Sequence, residues 1–277
     1  MNKGVNIMNG LRSVTTGTDN LEKTKTLFKD VLGLNVADKG QALRFGDAEL
    51  SSGTRIHFIE IPNYTNEENH IENIGLRLPS DEGLDEYQTI LNDHQIDHSE
   101  ITDLNGHKYF EFNDHNHQTF NIYSNEHNTG APLGMPTFDS TVNPLHQIQG
   151  LGPVLLKVNE LLLTQSILTK VFGLTHFAEY TPHPGADYKV QVFRIGEGGL
   201  GGELHLHAAE EDLKMPKHGI VEQIEFATES KAQFQNALQQ LESIGIPYQS
   251  LDQDGEKSLR ISEKSGITFI LTLEIKS

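Results

Sequence analysis

Residues 10–34 read GLRSVTTGTDNLEKTKTLFKDVLGL, and this stretch decides the fold. It begins as a short strand and continues, over about 20–34, as an amphipathic helix with Leu21, Leu27 and Val31 at helical spacing. Gly33 stands where a glycine that ends a helix belongs. The segments ALRFGD and TRIHFIEIP come next and are typical of strands. The pattern predicts a βαβββ module.

The same order recurs three more times along the chain. The later copies begin with HIENIGLRLPS at His70, LGPVLLKVNE at Leu151 and IVEQIEFATES at Ile220. Their helices are predicted over about 81–91, 161–172 and 231–244, and strands follow each helix. Four copies in one order are hard to obtain by chance, so the sequence predicts an α+β protein of four βαβββ modules.

The modules define a division of the chain into two halves. An N-terminal half, 1–126, holds modules 8–62 and 70–124, and a C-terminal half, 145–277, holds modules 146–209 and 218–275. Between them, 127–144 reads HNTGAPLGMPTFDSTVNP, which is rich in proline and has no periodicity. We expect this segment to be the linker between the halves.

The composition of the chain limits which partners it can bind and in which compartment it is expected. The net charge of −18 disfavours nucleic acid and anionic membranes, because both require a basic surface. The absence of cysteine excludes disulfides, thiolate metal sites and a thiol nucleophile. The stretch MNKGVNIMNG lacks the apolar core of a signal peptide, and no stretch approaches the ~18 apolar residues of a membrane span. We therefore expect a cytoplasmic protein with no nucleic-acid or membrane partner.

A βαβββ module whose helix ends in VLGL or FGL resembles the modules of the glyoxalase/bleomycin-resistance/dioxygenase, or vicinal-oxygen-chelate, superfamily. Within it the chain looks most like the four-module ring-cleaving dioxygenases of the hydroquinone type. The match includes HQIQGLGPVLLKV at the start of module 3 and SLRISEKSGITFILTLE at the end. The resemblance implies two cup-shaped half-barrels, with modules 1 and 4 sharing one cup and modules 2 and 3 the other.

The resemblance also implies an iron site in the cup of modules 1 and 4. Its ligands would be a histidine from the first strand of each module and a glutamate from the last strand of module 4. These positions fall on Ser13, Gln223 and Ile270. Non-haem Fe(II) requires two imidazoles and a carboxylate on one face. We therefore expect a degenerate site without a metal cofactor; Fe(II) or another divalent ion is the alternative.

Strand parity predicts which other side chains face the same cup. The predicted ligand-binding set is polar and consists of Ser13, Thr15, His57, Gln223, Glu225 and Arg260. His57 and Arg260 are also the candidate catalytic residues. Arg260, on the family's position for an outer-sphere tyrosine, is suited either to pairing with a carboxylate or phenolate ligand or to neutralising Glu225.

The cup of modules 2 and 3 presents Asn73, Asn121, Pro153 and His205 at the equivalent positions. Along the last strand of module 3, Glu203, His205 and His207 alternate on one face, and such an HxH pattern can bind zinc. A polar strand face without a metal is the more favoured interpretation.

Three hypotheses for function remain at this stage. The first is binding of a small anionic or aromatic molecule without metal. The second is an active Fe(II)-dependent extradiol ring-cleaving dioxygenase, or a glyoxalase-type lyase, whose ligands the sequence does not reveal. The third is a cofactor-less enzyme with His57 as general base. A homodimer stays open, although four modules can complete both cups in one chain.

Overall fold

The computed structural model describes residues 8–274 except 68, 254 and 264, and it leaves out the side chains of 8, 9 and 253. The ends of the two predicted halves at 1 and 277, and the end of module 4 at 275, lie outside these residues. The strands, in chain order, are β1 (Met8–Thr18), β2 (Asn35–Asp38), β3 (Ala42–Gly46), β4 (Arg55–Glu60), β5 (Ile71–Leu78), β6 (Thr102–Leu104), β7 (His107–Asn113), β8 (Thr119–Ser124), β9 (Gly150–Val158), β10 (Thr175–Tyr180), β11 (Val190–Arg194), β12 (Glu203–Ala208), β13 (Glu222–Thr228), β14 (Gln249–Gln253), β15 (Glu256–Ser262) and β16 (Ile267–Leu273).

These strands form two eight-stranded sheets. One has the order β14-β15-β16-β13-β1-β4-β3-β2 and comes from modules 1 and 4; the other has the order β10-β11-β12-β9-β5-β8-β7-β6 and comes from modules 2 and 3. The α+β class and the expected pairing of modules are therefore confirmed. The first strands of paired modules lie antiparallel at the middle of each sheet, β1 beside β13 and β5 beside β9.

Each module contributes one helical segment directly after its first strand, and module 3 also has a short 3-10 helix over Leu200–Gly202. These segments are α1 (Leu21–Lys25) with a π-helical continuation over Thr26–Val31, α2 (Asp81–Asp93), α3 (Leu161–Lys170) and α4 (Lys231–Ile244). Asn20 begins the first one, because its side chain accepts a hydrogen bond from the backbone N–H of Lys23. Gly33 and Gly245 end the first and last segments with positive φ angles of 75° and 70°. Within the described residues no helix is long and apolar enough to span a membrane.

The helices and one face of each sheet enclose a common core. Phe28 of the π-helix lies 5.1 Å, centroid to centroid, from Phe120 of module 2, and the Tyr87 hydroxyl donates to the carbonyl of Leu32 at 2.8 Å. Phe172 and Phe226 make the matching contact between modules 3 and 4 at 5.3 Å. Each module therefore shares a sheet with one other module, and its helical segment packs against the module that is next to it in sequence. The opposite face of each sheet is left for the cups.

The segment 127–144 has neither helix nor strand, yet it is fixed to both sheets. Arg77, which is 1% exposed, donates to the carbonyls of Ala131 at 2.8 Å and Pro132 at 3.1 Å. The Asp47 carboxylate accepts the backbone N–H of Met135 at 2.8 Å. The segment is thus an ordered connection that runs over the junction between the two sheets.

Candidate functional site

We call the face of the β1–β13 sheet that lies opposite the helices the first cup. Val14, Ile56 and Ile224 point to the core and are at most 1% exposed. Because side chains alternate along a strand, Ser13, Thr15, His57, Gln223 and Glu225 must point the other way, into the cup.

Register places the predicted residues side by side across this sheet. Ser13 pairs with Glu225, Glu225 with Ile270, and Ile270 with Arg260. One step along the strands, Thr15 lies between Gln223 and His57. The family's three metal positions therefore occupy the neighbouring strands β1, β13 and β16, at the ~4.8 Å spacing of paired strands.

A buried ion pair occupies the middle of the first cup. One Arg12 nitrogen, Nη1, donates to Oε1 of Glu225 at 2.7 Å, and Ser13 donates to Oε2 at 2.6 Å. Thr272 also donates to Oε1 at 2.7 Å. Burial opposes ionisation of Glu225, but Arg12 and the two hydroxyls outweigh it and lower the pKa of this carboxyl. Glu225 is thus ionised, and both of its carboxylate oxygens already accept hydrogen bonds from neighbouring side chains.

This pairing corrects one expectation about Arg260. Arg12, not Arg260, neutralises Glu225, and it also binds Glu256 at 2.7 Å and Glu274 at 2.9 Å. The reason is a register irregularity in the β1–β13 pairing between Leu11 and Ser13, which lets Arg12 join the carboxylates although its neighbour Ser13 also faces the cup. Arg12 was missed because alternation alone assigns it to the opposite face from Ser13.

The residues present do not fit the family's iron site. Ile270 carries no donor atom, and the hydroxyl of Ser13 is engaged by Glu225. Glu225 itself is held by a permanently cationic guanidinium, which would repel a metal ion. No group of three or more histidine, aspartate or glutamate side chains able to hold a metal occurs within the part of the chain that the structure describes.

His57 is neutral in this setting. Burial, followed by the positive charge of Arg44, lowers its pKa from 6.5 to about 4. Its Nε2 atom is buried and has no hydrogen-bond partner among the described residues. At neutral pH the ring is therefore a weak base, but one able to make a hydrogen bond to a ligand.

Two arginines that form no ion pair within the described residues, Arg44 and Arg55, lie beside this histidine. Arg44 pairs in register with His57, and Arg55 with Ser13. Burial and then the charges of Arg12 and Arg44 lower the pKa of Arg55 and outweigh the opposite effect of Glu225 and Glu274, so positive charges lie close together here. On the other side of the cup, Nε of Arg260 is buried without a partner in the described part of the chain. Strand parity in β3 and β4 would have found Arg44 and Arg55.

The second cup is the equivalent face of the β5–β9 sheet, and its histidines have separate partners. His205 lies 3.1 Å from the Tyr180 hydroxyl and 3.2 Å from Glu203, whereas Nε2 of His207 lies 2.6 Å from Glu72. Asn121 is 6% exposed and donates to the Tyr123 hydroxyl at 3.2 Å. His205 and His207 share a strand face, as expected, but the described residues supply no third ligand that would join them around one ion.

Comparison with known proteins agrees with this architecture. No protein-family model matches the chain. The presumed ring-cleaving dioxygenase MhqA of Bacillus subtilis strain 168 is 30% identical over 223 residues, which cover 76% of this chain and 69% of MhqA. The crystal structure of a presumed dioxygenase from the same strain superposes with a TM-score of 0.76 at 16% identity, over 98% of this chain and 86% of that one.

Glyoxalase I from Zea mays shares the fold with a TM-score of 0.62 at 11% identity, over 95% of this chain and 92% of that chain. The four-module architecture is that of the vicinal-oxygen-chelate proteins. The chain belongs to this superfamily and, within it, to the family of MhqA. The resemblance stated from the sequence is confirmed.

Proposed function

We propose that the first cup binds a small anionic, aromatic molecule without a metal ion. The carrying observation is that Arg44, Arg55 and Arg260 lie on the same sheet as Ser13, Gln223 and Ile270, the positions that correspond to the family's ligands. These guanidiniums have no ion pairs within the described residues. A bound carboxylate or phenolate would relieve the repulsion that Arg55 experiences.

The aromatic part of the proposal rests on the relatives. MhqA is named as a ring-cleaving protein, and a cup of the same fold is expected to keep room for one ring. In the family an iron ion would offset the ligand's charge. Here the arginines take that role, with neutral His57 as a hydrogen-bonding group beside them.

The contribution of Arg260 to the affinity for an anionic ligand can be estimated. A charge-assisted hydrogen bond contributes about 1.5–3 kcal/mol, which corresponds to roughly ten- to a hundredfold in Kd. Isothermal titration calorimetry with benzoate should show binding to the wild type and a loss of this size in Arg260→Met. The matched control is Arg194→Met, which removes the arginine of the other cup and should leave benzoate affinity unchanged. Equal affinities in all three proteins would remove Arg260 from the site.

The second candidate function is Fe(II)-dependent ring cleavage, or a glyoxalase-type lyase reaction, and the relationship to MhqA favours it. Oxygen consumption with catechols or hydroquinones and added Fe(II), under reducing conditions, tests it. We expect no turnover. Turnover that disappears in His57→Ala would show that a ligand set other than Ser13, Gln223 and Ile270 holds iron.

A cofactor-less reaction with His57 as general base is the least favoured alternative. A base acts best when its pKa is close to the working pH, and a pKa of about 4 lies well below neutrality. Both sheets are completed by one chain, so the proposed function does not require a homodimer.

A further inference from the structure

The second cup contains a cavity that the proposed function does not use. Its volume is about 400 Å³, within the range of small-molecule sites. The wall combines apolar and aromatic side chains, among them Tyr123, Tyr180, Phe177, Val192, Leu104 and Pro153, with a larger number of polar and charged ones. This lining suits a small molecule that has both an apolar ring and a polar group.

Hydrogen-bond direction fixes what Tyr180 can offer to such a molecule. The Glu203 carboxylate can only accept from Nε2 of His205, which lies 3.2 Å away, and this contact selects the tautomer in which Nδ1 is an acceptor. The hydroxyl of Tyr180 then donates to Nδ1 at 3.1 Å. With its proton used in this way, the Tyr180 oxygen presents lone pairs to the cavity. Tyr180 is therefore a hydrogen-bond acceptor for a ligand.

Tyr123 offers the opposite function. Its hydroxyl oxygen accepts from Nδ2 of Asn121 at 3.2 Å, which leaves its proton available. Burial raises the pKa of both tyrosines, so both hydroxyls remain protonated at neutral pH. Both side chains line the same cavity, and Tyr180 lies close enough for its charge to raise the pKa of Tyr123. An acceptor and a donor thus face the same space.

The charge of the cavity excludes the class of ligand proposed for the first cup. Three carboxylates line it, Glu179, Glu197 and Glu203, against one arginine, Arg194, whose guanidinium carbon lies 3.4 Å from the centre of the Phe177 ring. Glu179 is paired with Lys189, but Glu197 and Glu203 still outnumber Arg194, so an anionic ligand would add to an excess of negative charge. A neutral ligand would not.

We propose that the second cup is a separate binding site for a small neutral molecule with a hydroxyl group on an aromatic ring. The ligand's hydroxyl donates to the Tyr180 oxygen and accepts from the Tyr123 hydroxyl, while its ring packs against Val192 and the tyrosine rings. This inference does not depend on the function of the first cup.

Methyl NMR on the full chain tests the proposal, because each cup has its own reporter. Val192 lines the second cavity and Ile270 faces the first cup. Phenol, which is neutral at pH 7, should shift the Val192 methyl resonances saturably and leave Ile270 unaffected. Anisole and toluene, which have no hydroxyl proton to donate, should bind about tenfold more weakly, the equivalent of one hydrogen bond.

Variants assign the effect to the two hydroxyls. Tyr180→Phe and Tyr123→Phe should each weaken phenol binding by about tenfold. The control is Tyr188→Phe, since Tyr188 stacks on His207 at 4.7 Å but lies outside this cavity. Equal affinity for phenol and toluene, or no change in either tyrosine variant, would overturn the proposal. Benzoate serves as the cross-check: its shifts should appear at Ile270, so failure of one site is distinguishable from failure of the other.

Discussion

The two cups of this protein are built from the same module in the same order, yet they carry opposite charge. The first cup presents Arg44, Arg55 and Arg260, together with Arg12 and the three carboxylates that Arg12 binds, Glu225, Glu256 and Glu274. The second presents three glutamates, two tyrosines and one arginine around a cavity. The sheets and helices are equivalent, so the difference comes from side chains at a few cup-facing positions. The fold therefore provides two cups, and the side chains of each cup determine its ligand independently of the other.

One pair of equivalent residues shows how this difference arises. Arg12 precedes Ser13 in module 1, and Glu72 precedes Asn73 in module 2, and both stand at an irregularity in strand pairing. Arg12 is buried among three carboxylates. Glu72 instead meets His207 at 2.6 Å and Lys157 at 4.0 Å, with its side chain 30% exposed. The same backbone feature holds a cation in one cup and an anion in the other.

The largest expected effect is on stability, and it separates these two residues. Arg12→Met leaves the buried Glu225 carboxylate without its cation, so it should lower the free energy of unfolding by about 3–5 kcal/mol. Glu72→Gln breaks a partly exposed pair and should lower it by only ~0–1 kcal/mol. Urea unfolding monitored by circular dichroism measures both values. Similar losses in the two variants would contradict the contrast between the cups.

A double variant serves as the control for that measurement. In Arg12→Met/Glu225→Gln the carboxylate of Glu225, the most buried of the three that Arg12 binds, is removed together with its cation. We expect the double variant to be more stable than Arg12→Met by roughly 1–3 kcal/mol. A double variant as unstable as the single one would show that packing by the arginine side chain, not its charge, is what matters.

A second effect is a dependence of stability on pH that belongs to the first cup. The folded-state pKa of His57, about 4, lies below its ordinary value of 6.5, so between these values the unfolded chain binds more protons than the native one. The stability that depends on neutral His57 is fully present above pH ~6.5. As the pH falls toward ~4, this part of the free energy of unfolding is lost, by about 2–3 kcal/mol. Unfolding of wild type and His57→Gln at several pH values isolates it. Parallel pH profiles for the two proteins would show that His57 is not buried in a cationic setting.

The smallest effect concerns affinity. Arg44 is the cation next to His57 in register, and its removal should reduce the repulsion on Arg55 as well as the attraction for an anion. Because these two consequences act in opposite directions, Arg44→Met should weaken benzoate binding only about tenfold or less. Isothermal titration calorimetry of benzoate with the Arg44→Met and Arg260→Met proteins shows which arginine contributes more to the affinity. A larger loss in Arg44→Met would move the centre of the anion site toward β3.

The sequence predicted the architecture well because the evidence for it is local and repeated. The helix expected over 231–244 is observed as Lys231–Ile244, and glycines end helices at Gly33 and Gly245 as the pattern indicates. The π-helical turn over Thr26–Val31 was not predicted, since hydrophobic spacing does not distinguish it from an α-helix. The pairing of modules 1 and 4 came from the family resemblance, because no local pattern reports contacts across more than 200 residues.

The candidate site was harder to predict for a physical reason. Parity identified Ser13, Thr15, His57, Gln223 and Glu225 as facing one cup, and the register brings them onto adjacent strands. Parity fails where a strand pairing is irregular, and Arg12 stands at such a place. The hydrogen-bond directions at Tyr123 and Tyr180 depend on Asn121 and His205, whose orientation only the folded chain defines.

The central proposal is that the first cup has exchanged the family's metal site for a cationic, metal-free one. The most direct test is the iron content of the purified protein after anaerobic loading with Fe(II) and removal of free metal, measured by atomic emission. We predict that the wild type retains far less than one iron per chain, and that excess benzoate does not change this value. Retention of close to one iron per chain, lost in His57→Ala, would contradict the account and restore a metal-dependent reaction in this cup.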